Sequence, residues 1–176
     1  MNGWQPFHIS NSYLVNILAE KHKAQIVGFE NFRIFNRKSY FNIIENFKWY
    51  LSLLLNTRTI KIYRSFGVTS FFKAGTKVLQ LIKSYIIYKK IIKKIKNKKD
   101  VENITIYDVW VGDLIYDTYL KVFAKITLDI NSKEFKSFLF KSISLFIFWY
   151  NYFQSKEVKA LSVSHGVYTL AFPIRI

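Results

Sequence analysis

Residues 103–120 have the sequence NITIYDVWVGDLIYDTYL, and the predicted fold follows from the pattern of these residues. Its first part, residues 103–108, is short and rich in β-branched side chains, which is typical of a strand. Residues 113–123 then have the apolar spacing of a helix. A strand followed at once by a helix is the repeating unit of α/β folds with a parallel sheet.

The same alternation extends along the chain in both directions. The spacing of apolar residues predicts strands at 24–29, 59–63, 103–107 and 158–163. It predicts helices at 11–23, 39–55, 73–99, 113–123 and 133–153. No linker rich in Gly, Ser or Pro divides the chain. We therefore predict one three-layer, Rossmann-like α/β domain over residues 1–176, with a mostly parallel sheet.

The composition excludes several classes of protein. The chain has no Cys, so disulfides and thiolate zinc sites are excluded, and its three His residues lack the spacing of metal ligands. The start has no secretory signal pattern. Residues 138–153 are the most apolar stretch, but Lys141 interrupts it and it is short for a bilayer, so we expect a buried helix.

Positive charge is concentrated in the first part of the chain. Residues 1–100 carry 19 Lys and Arg against 4 Asp and Glu, or +15 of the total +16. Residues 73–99 contain ten Lys and no acid, which is typical of a helix on an anionic membrane. The candidate membrane-surface residues are Lys89, Lys90, Lys93 and Lys94. A solvated face on a core helix, or the codon bias of an AT-rich genome, explains the same pattern equally well.

Polar motifs follow two of the predicted strands. Asp113 and Asp117 come after the first and lie on one face of the predicted helix, and Gly112 allows backbone to approach a ligand. His165 follows the second and is a candidate general base, because its proton affinity suits neutral pH. Strand ends share one edge of a parallel sheet, so we expect a shared cleft. The alternatives are an Asp that stabilises a helix dipole and a His packed at a strand end.

A third motif lies near the N-terminus. Ser10 and Asn11 precede the first predicted helix, whose free amides suit an anion or sugar hydroxyls. Simple capping of the helix by either residue is the alternative.

Three stretches together resemble a known family. They are PFHISNSYLVNILAEKHKAQIVGF at 6–29, VWVGDLIYDTYLKV at 109–122 and VKALSVSHGVYTLAFPIRI at 158–176. The family comprises glycosyltransferases of bacterial capsule and surface-polysaccharide biosynthesis that have two Rossmann-like halves, the GT-B type. The run GDLIYDTYL, followed at a distance by SHGVY, is the most specific part of the resemblance.

The resemblance implies that this chain is the N-terminal half, which binds a sugar or lipid-linked acceptor. Nucleotide-sugar would bind through a C-terminal half that the chain lacks, and no cofactor or metal is implied. Catalytic roles would fall to Asp113, Asp117 and His165, which face the cleft between the halves. The acceptor would be bound by Ser10, Asn11, Tyr116 and Tyr168.

Three functions remain open on the sequence alone. The first is the acceptor half of a cytoplasmic glycosyltransferase, held peripherally at the inner face of the cell membrane. The second is a basic protein without catalytic activity that binds a membrane surface or nucleic acid. Nucleic acid is disfavoured, because its binding calls for exposed aromatics beside the lysines, and here the aromatics fall on core-like stripes. The third is an inactive remnant, which both ends of the chain suggest because they look truncated.

Overall fold

Helices dominate this computed structural model. The described residues are 5–30, 43–75, 78–163 and 167–176, and the structure is 62% helical. They form only two sheets, each of two strands. The predicted three-layer Rossmann-like domain with a mostly parallel sheet is therefore wrong. The chain instead divides into two compact units, Met1–Lys73 and Ala74–Ile176.

The first unit contains a small parallel sheet with its helices. Its elements are α1 (Gln5–Lys21), β1 (Ile26–Glu30), α2 (Ile43–Leu54), α3 (Arg58–Ser65) and β2 (Val68–Lys73). The two strands pair in parallel, from Ile26 opposite Val68 to Glu30 opposite Lys73. Gly67 makes the turn from α3 into β2 with a φ of +81°, which glycine adopts without strain. Ile60 of α3 is fully buried.

The second unit is built around a long aromatic helix. Its elements are α4 (Val78–Ile92), α5 (Lys98–Glu102), β3 (Thr105–Ile106), β4 (Val109–Trp110), α6 (Gly112–Phe123), α7 (Lys133–Ser155), a 3-10 helix (Tyr168–Ala171) and α8 (Phe172–Arg175). The side chain of Ser132 caps α7 by accepting a hydrogen bond from the Phe135 amide at 3.1 Å. Side chains of α7 such as Phe146 and Trp149 are buried and form much of the core.

Helix α4 packs along α7. The ring of Tyr88 contacts that of Phe140 edge-on, with 5.7 Å between centroids. Ser84 is fully buried on α4, and its hydroxyl donates to the Gln80 carbonyl oxygen at 2.7 Å. Ser142 of α7 is also buried and donates to the Phe138 carbonyl oxygen. Small side chains that satisfy their own hydroxyls within the helix can be buried without a lost hydrogen bond.

Two predicted strands are absent. Residues 59–63 are part of helix α3, and residues 158–163 have no regular structure. In α3, the buried Ile60 and half-buried Tyr63 lie three residues apart on one helical face. In so short a segment, alternating apolar residues fit a helix as well as a strand.

The predicted strand at 103–107 belongs to a different motif. Its residues Thr105 and Ile106 pair antiparallel with Val109–Trp110 in a β-hairpin. Tyr107 and Asp108 form the two-residue turn with φ values of 51° and 63°. Such turns normally use Asn-Gly or Asp-Gly, so Tyr-Asp gave no turn signal in the sequence. The strand therefore turns back on itself instead of entering a parallel sheet.

The predicted basic helix at 73–99 is interrupted. Lys73 ends β2, α4 ends at Ile92, and α5 begins at Lys98. Asn97 and Asp100 form a capping box: each side chain accepts a hydrogen bond from the other residue's amide, at 3.1 and 3.0 Å. Hydrogen bonds from the backbone amides of Lys96 and Asn97 lower the pKa of Asp100. This cap starts a new helix where the lysine pattern gave no sign of a break.

Other helix predictions are confirmed. The predicted helices at 113–123 and 133–153 correspond to α6 and α7. Helices α1 and α2 cover most of the described parts of the two earlier ones, but α1 ends at Lys21 and α2 at Leu54. Helix α7 is buried along much of its length, as expected for residues 138–153. Within the described residues, no helix combines the length and apolar character needed to cross a membrane.

Candidate functional site

Helix α6 begins in close contact with the backbone of α5. The amides of Val111 and Gly112 both donate to the Ile104 carbonyl oxygen at 3.0 Å. A Cβ added at Gly112 would lie 2.2 Å from the carbonyl oxygen of Val101 and 2.3 Å from that of Glu102. The sequence predicted that Gly112 lets backbone approach a ligand, but the structure brings it against α5. Glycine at this position fixes where α6 starts and therefore where its first carboxylate lies.

Asp113, in the first turn of α6, is held by Arg175 at the end of α8. The Arg175 guanidinium donates to both carboxylate oxygens, at 2.6 and 3.2 Å, and to the Trp110 carbonyl oxygen at 3.0 Å. The same guanidinium lies 5.0 Å from the Trp110 ring centroid, within range of a cation–π interaction. The Asp113 and Arg175 side chains are 26% and 31% exposed. This ion pair fastens α8 to the start of α6 and leaves a half-exposed indole beside it.

The other end of the same α6 face contacts the 3-10 helix. Lys121 places its ammonium 4.1 Å from the centroid of the Tyr168 ring. Tyr168 has a φ of 63°, which is rare for a residue with a side chain and costs about 1 kcal/mol. The Thr169 amide donates to the hydroxyl oxygen of buried Thr118 at 2.8 Å, which holds this strained turn in place. Among the described residues, the buried Thr169 hydroxyl has no hydrogen-bond partner.

Asp117 lies between these two contacts. It is one helical turn after Asp113 and one before Lys121, so all three share a face of α6. Its side chain is exposed, and it forms no salt bridge within the described part of the chain. We call this surface the α6 surface; it comprises Trp110, Asp113, Asp117, Lys121, Tyr168 and Arg175. It presents an open carboxylate between two cation–aromatic pairs.

The two strands that were predicted to bring these side chains into one cleft do not form a shared sheet edge. Asp113 and Tyr168 belong to elements in contact because the 3-10 helix packs on α6, not because two strands end at one sheet edge. Tyr116 is half-buried on α6, one turn after Asp113. His165 lies outside the described residues. The roles predicted for these side chains stay predictions.

Ser10 and Asn11 are not at a helix start. Helix α1 spans Gln5–Lys21, so both residues lie within it, and the predicted cap and anion site at this point are wrong. Both belong to the first unit, whereas the α6 surface belongs to the second. Their predicted contact with an acceptor stays a prediction.

The four candidate membrane-surface lysines are exposed. Lys89 and Lys90 lie in the last turn of α4, and Lys93 and Lys94 follow directly. No group of His, Asp or Glu among the residues described here has the arrangement of a metal site.

Trp110, Lys121 and Arg175 were missed as members of the α6 surface. Each is separated in sequence from at least one of its partners, and Arg175 reaches Asp113 from 62 residues away. Trp110 precedes the GDLIYDTYL run directly, and its position there was the one available signal.

Comparisons with protein-family models, with curated proteins and with solved structures find no match to this chain. The α6 surface therefore stands on its own geometry.

Proposed function

We propose that the α6 surface binds a saccharide acceptor, and that the chain contributes this acceptor site to a glycosyltransferase of bacterial surface-polysaccharide biosynthesis. The observation that carries the proposal is the exposed Asp117 carboxylate between the Trp110–Arg175 and Tyr168–Lys121 pairs. The proposal requires no Rossmann-like fold.

The chemistry of this surface suits a sugar. An ionised carboxylate only accepts hydrogen bonds, and sugar hydroxyls are donors that could reach Asp117. The half-exposed Trp110 offers an apolar face with fixed orientation, on which the C–H face of a sugar ring could pack. Arg175 and Lys121 already have partners, which keeps their positive charges beside the site while Asp117 stays open.

The proposal also draws on the family resemblance of the sequence, without the Rossmann-like fold that the resemblance implied. Two of its three stretches, 109–122 and 158–176, contribute residues that are in contact, Asp113 with Arg175 and Lys121 with Tyr168. His165 lies three residues before Tyr168 and is the proposed base that takes the acceptor's proton. Donor nucleotide-sugar would bind elsewhere in the enzyme. The proposed location is the cytoplasm, at the inner face of the membrane.

Binding of oligosaccharides tests the proposal directly. The probes are capsule-derived bacterial oligosaccharides, screened by saturation-transfer NMR with the purified chain and quantified by calorimetry. We expect at least one to bind and Asp117→Asn to weaken it about tenfold or more, since a hydrogen bond to a charged group contributes about 1.5–3 kcal/mol. Glu157→Gln, which removes an exposed carboxylate outside the α6 surface, is the matched control and should bind as the unmodified chain does.

The outcomes separate clearly. Absence of saturation transfer across the panel would contradict the proposal. So would equal affinities of Asp117→Asn and Glu157→Gln, because the carboxylate would then have no part in binding. Circular dichroism of both variants checks that the fold is retained.

A further inference from the structure

Helix α4 has an exposed apolar row that the sequence did not predict. Leu79 is 81% exposed, Ile82 54% and Ile86 52%. Their spacing of three and four residues places them on one helical face. Large aliphatic side chains grouped on a surface mark an interaction site more often than single ones do.

The opposite face of α4 is already used in packing. Ser84 is fully buried there, and the Tyr88 ring contacts Phe140 of α7. The exposed row is therefore not the core side of the helix.

Lysines share the exposed face. Lys83 and Lys90 lie four residues after Leu79 and Ile86 respectively, and Lys93 follows at the helix end; all three are exposed. No acidic residue occurs between positions 73 and 99, so every charged side chain of this segment is positive. Long lysine stems can lie along apolar surface while the ammonium groups reach outward to anions.

We propose that α4 is an interfacial helix that lies on an anionic lipid surface. Leu79, Ile82 and Ile86 would enter the boundary between headgroups and acyl chains, and the lysines would pair with lipid phosphates. This combination of exposed aliphatic row and basic flanks is the pattern of helices that lie in a membrane interface. At 15 residues, α4 is too short to span the bilayer, so it would lie on the surface.

The apolar row is what favours lipid over nucleic acid. A nucleic-acid surface would use the lysines for phosphates and exposed aromatic rings for stacking on bases. Three exposed aliphatic side chains gain nothing from a phosphate backbone, but they gain free energy on leaving water for acyl chains. The inference is independent of saccharide binding at the α6 surface.

Vesicle sedimentation tests the electrostatic part. Vesicles of phosphatidylcholine alone are compared with vesicles containing phosphatidylglycerol, at low salt and at about 0.5 M salt. We expect binding to the anionic vesicles only, weakened by salt because the charges are exposed. Lys90→Gln/Lys93→Gln should weaken it about 25-fold, from about fivefold per lysine. The control Lys125→Gln/Lys156→Gln changes the net charge equally at exposed sites outside α4 and should bind as the unmodified chain does.

Labelled cysteines test insertion of the apolar row. The chain has no Cys, so a single Ile82→Cys variant carries one environment-sensitive fluorophore without background. The control is Ile126→Cys, because Ile126 is fully exposed and lies outside α4. Anionic vesicles should shift the emission at position 82 to the blue and leave that at position 126 unchanged.

Each result has a fixed consequence. Equal binding to neutral and anionic vesicles, or equal losses in the two lysine pairs, would overturn the proposal. So would an unchanged emission at position 82 in bound protein. Binding to single-stranded RNA that depends on Lys90 and Lys93, without a spectral shift on vesicles, would assign the surface to nucleic acid instead. Circular dichroism of each variant separates lost binding from lost folding.

Discussion

Replacing Gly112 with Ala should destabilise the second unit strongly. The added Cβ would lie 2.2 Å from the Val101 carbonyl oxygen and 2.3 Å from that of Glu102, where ordinary contact begins at 3.4 Å. Both obstacles are backbone atoms of α5, which cannot rotate away as a side chain can. Either one of the two helices moves by about 1 Å, or the steric overlap remains and destabilises the folded state.

The expected cost follows from that overlap. Overpacking a filled core site costs about 1–3 kcal/mol and occasionally more. A rigid backbone obstacle puts Gly112→Ala at the upper end, about 3 kcal/mol. The better helix propensity of Ala offsets at most about 1 kcal/mol. With a urea dependence of about 2 kcal/mol/M, the unfolding midpoint should fall by about 1–2 M.

Urea unfolding followed by circular dichroism measures this shift. Gly28→Ala is the matched control, because its added Cβ meets the Phe71 ring at 2.7 Å and a Val68 methyl at 3.1 Å. Phe71 is half-buried and can turn aside, and Gly is a poor strand residue, so this variant should lose less than about 1 kcal/mol. A midpoint for Gly112→Ala no lower than that of Gly28→Ala would refute the reasoning.

Two further predictions concern α6. Ala124 ends the helix with a φ of 50° and is exposed; Ala124→Gly should therefore raise the free energy of unfolding by about 0.5–1 kcal/mol, and a lower urea midpoint would contradict this. Burial raises the pKa of the Tyr119 phenol, and the neighbouring Glu134 carboxylate raises it further. The neutral phenol is thus favoured in the folded state, and its contribution is present below about pH 10 and lost as pH rises through the folded pKa. Tyr119→Phe should accordingly lose less stability between pH 8 and pH 11 than the unmodified chain; equal losses in paired urea titrations would count against it.

Local sequence signals predicted the elements with long periodic patterns. Helices α6 and α7 were found because apolar residues recur through many turns, and Ser132 marks the start of α7. Strand β1 was found from its apolar run, although it continues through Gly28 to Glu30. In each case, residues close in sequence carry the information.

Local sequence signals could not predict which strands pair with each other. Whether residues 103–107 enter a parallel sheet or a hairpin depends on the left-handed backbone conformation of Tyr107 and Asp108. The dipeptide Tyr-Asp is not one that predicts such a turn. Strand β2 was missed because the segment VTSFFK alternates only weakly. The parallel-sheet topology was inferred from the order of predicted elements, and two of the strands on which it rested are not strands. An error in element type therefore became an error in fold class.

The geometry of the candidate site does not depend on the incorrectly predicted sheet, because helix packing positions its residues. Phe172 is fully buried with its ring 5.8 Å from that of Phe146 on α7, which fixes the C-terminal segment in the core. The Thr169 amide bonds to Thr118, which fixes the same segment to α6. With both anchors in place, Arg175 reaches Asp113 and Tyr168 reaches Lys121 without any sheet edge. The closeness of Asp113 to Arg175 and of Lys121 to Tyr168 is thus a property of the aromatic core, and a test of Asp117 examines the site independently of the fold first inferred for it.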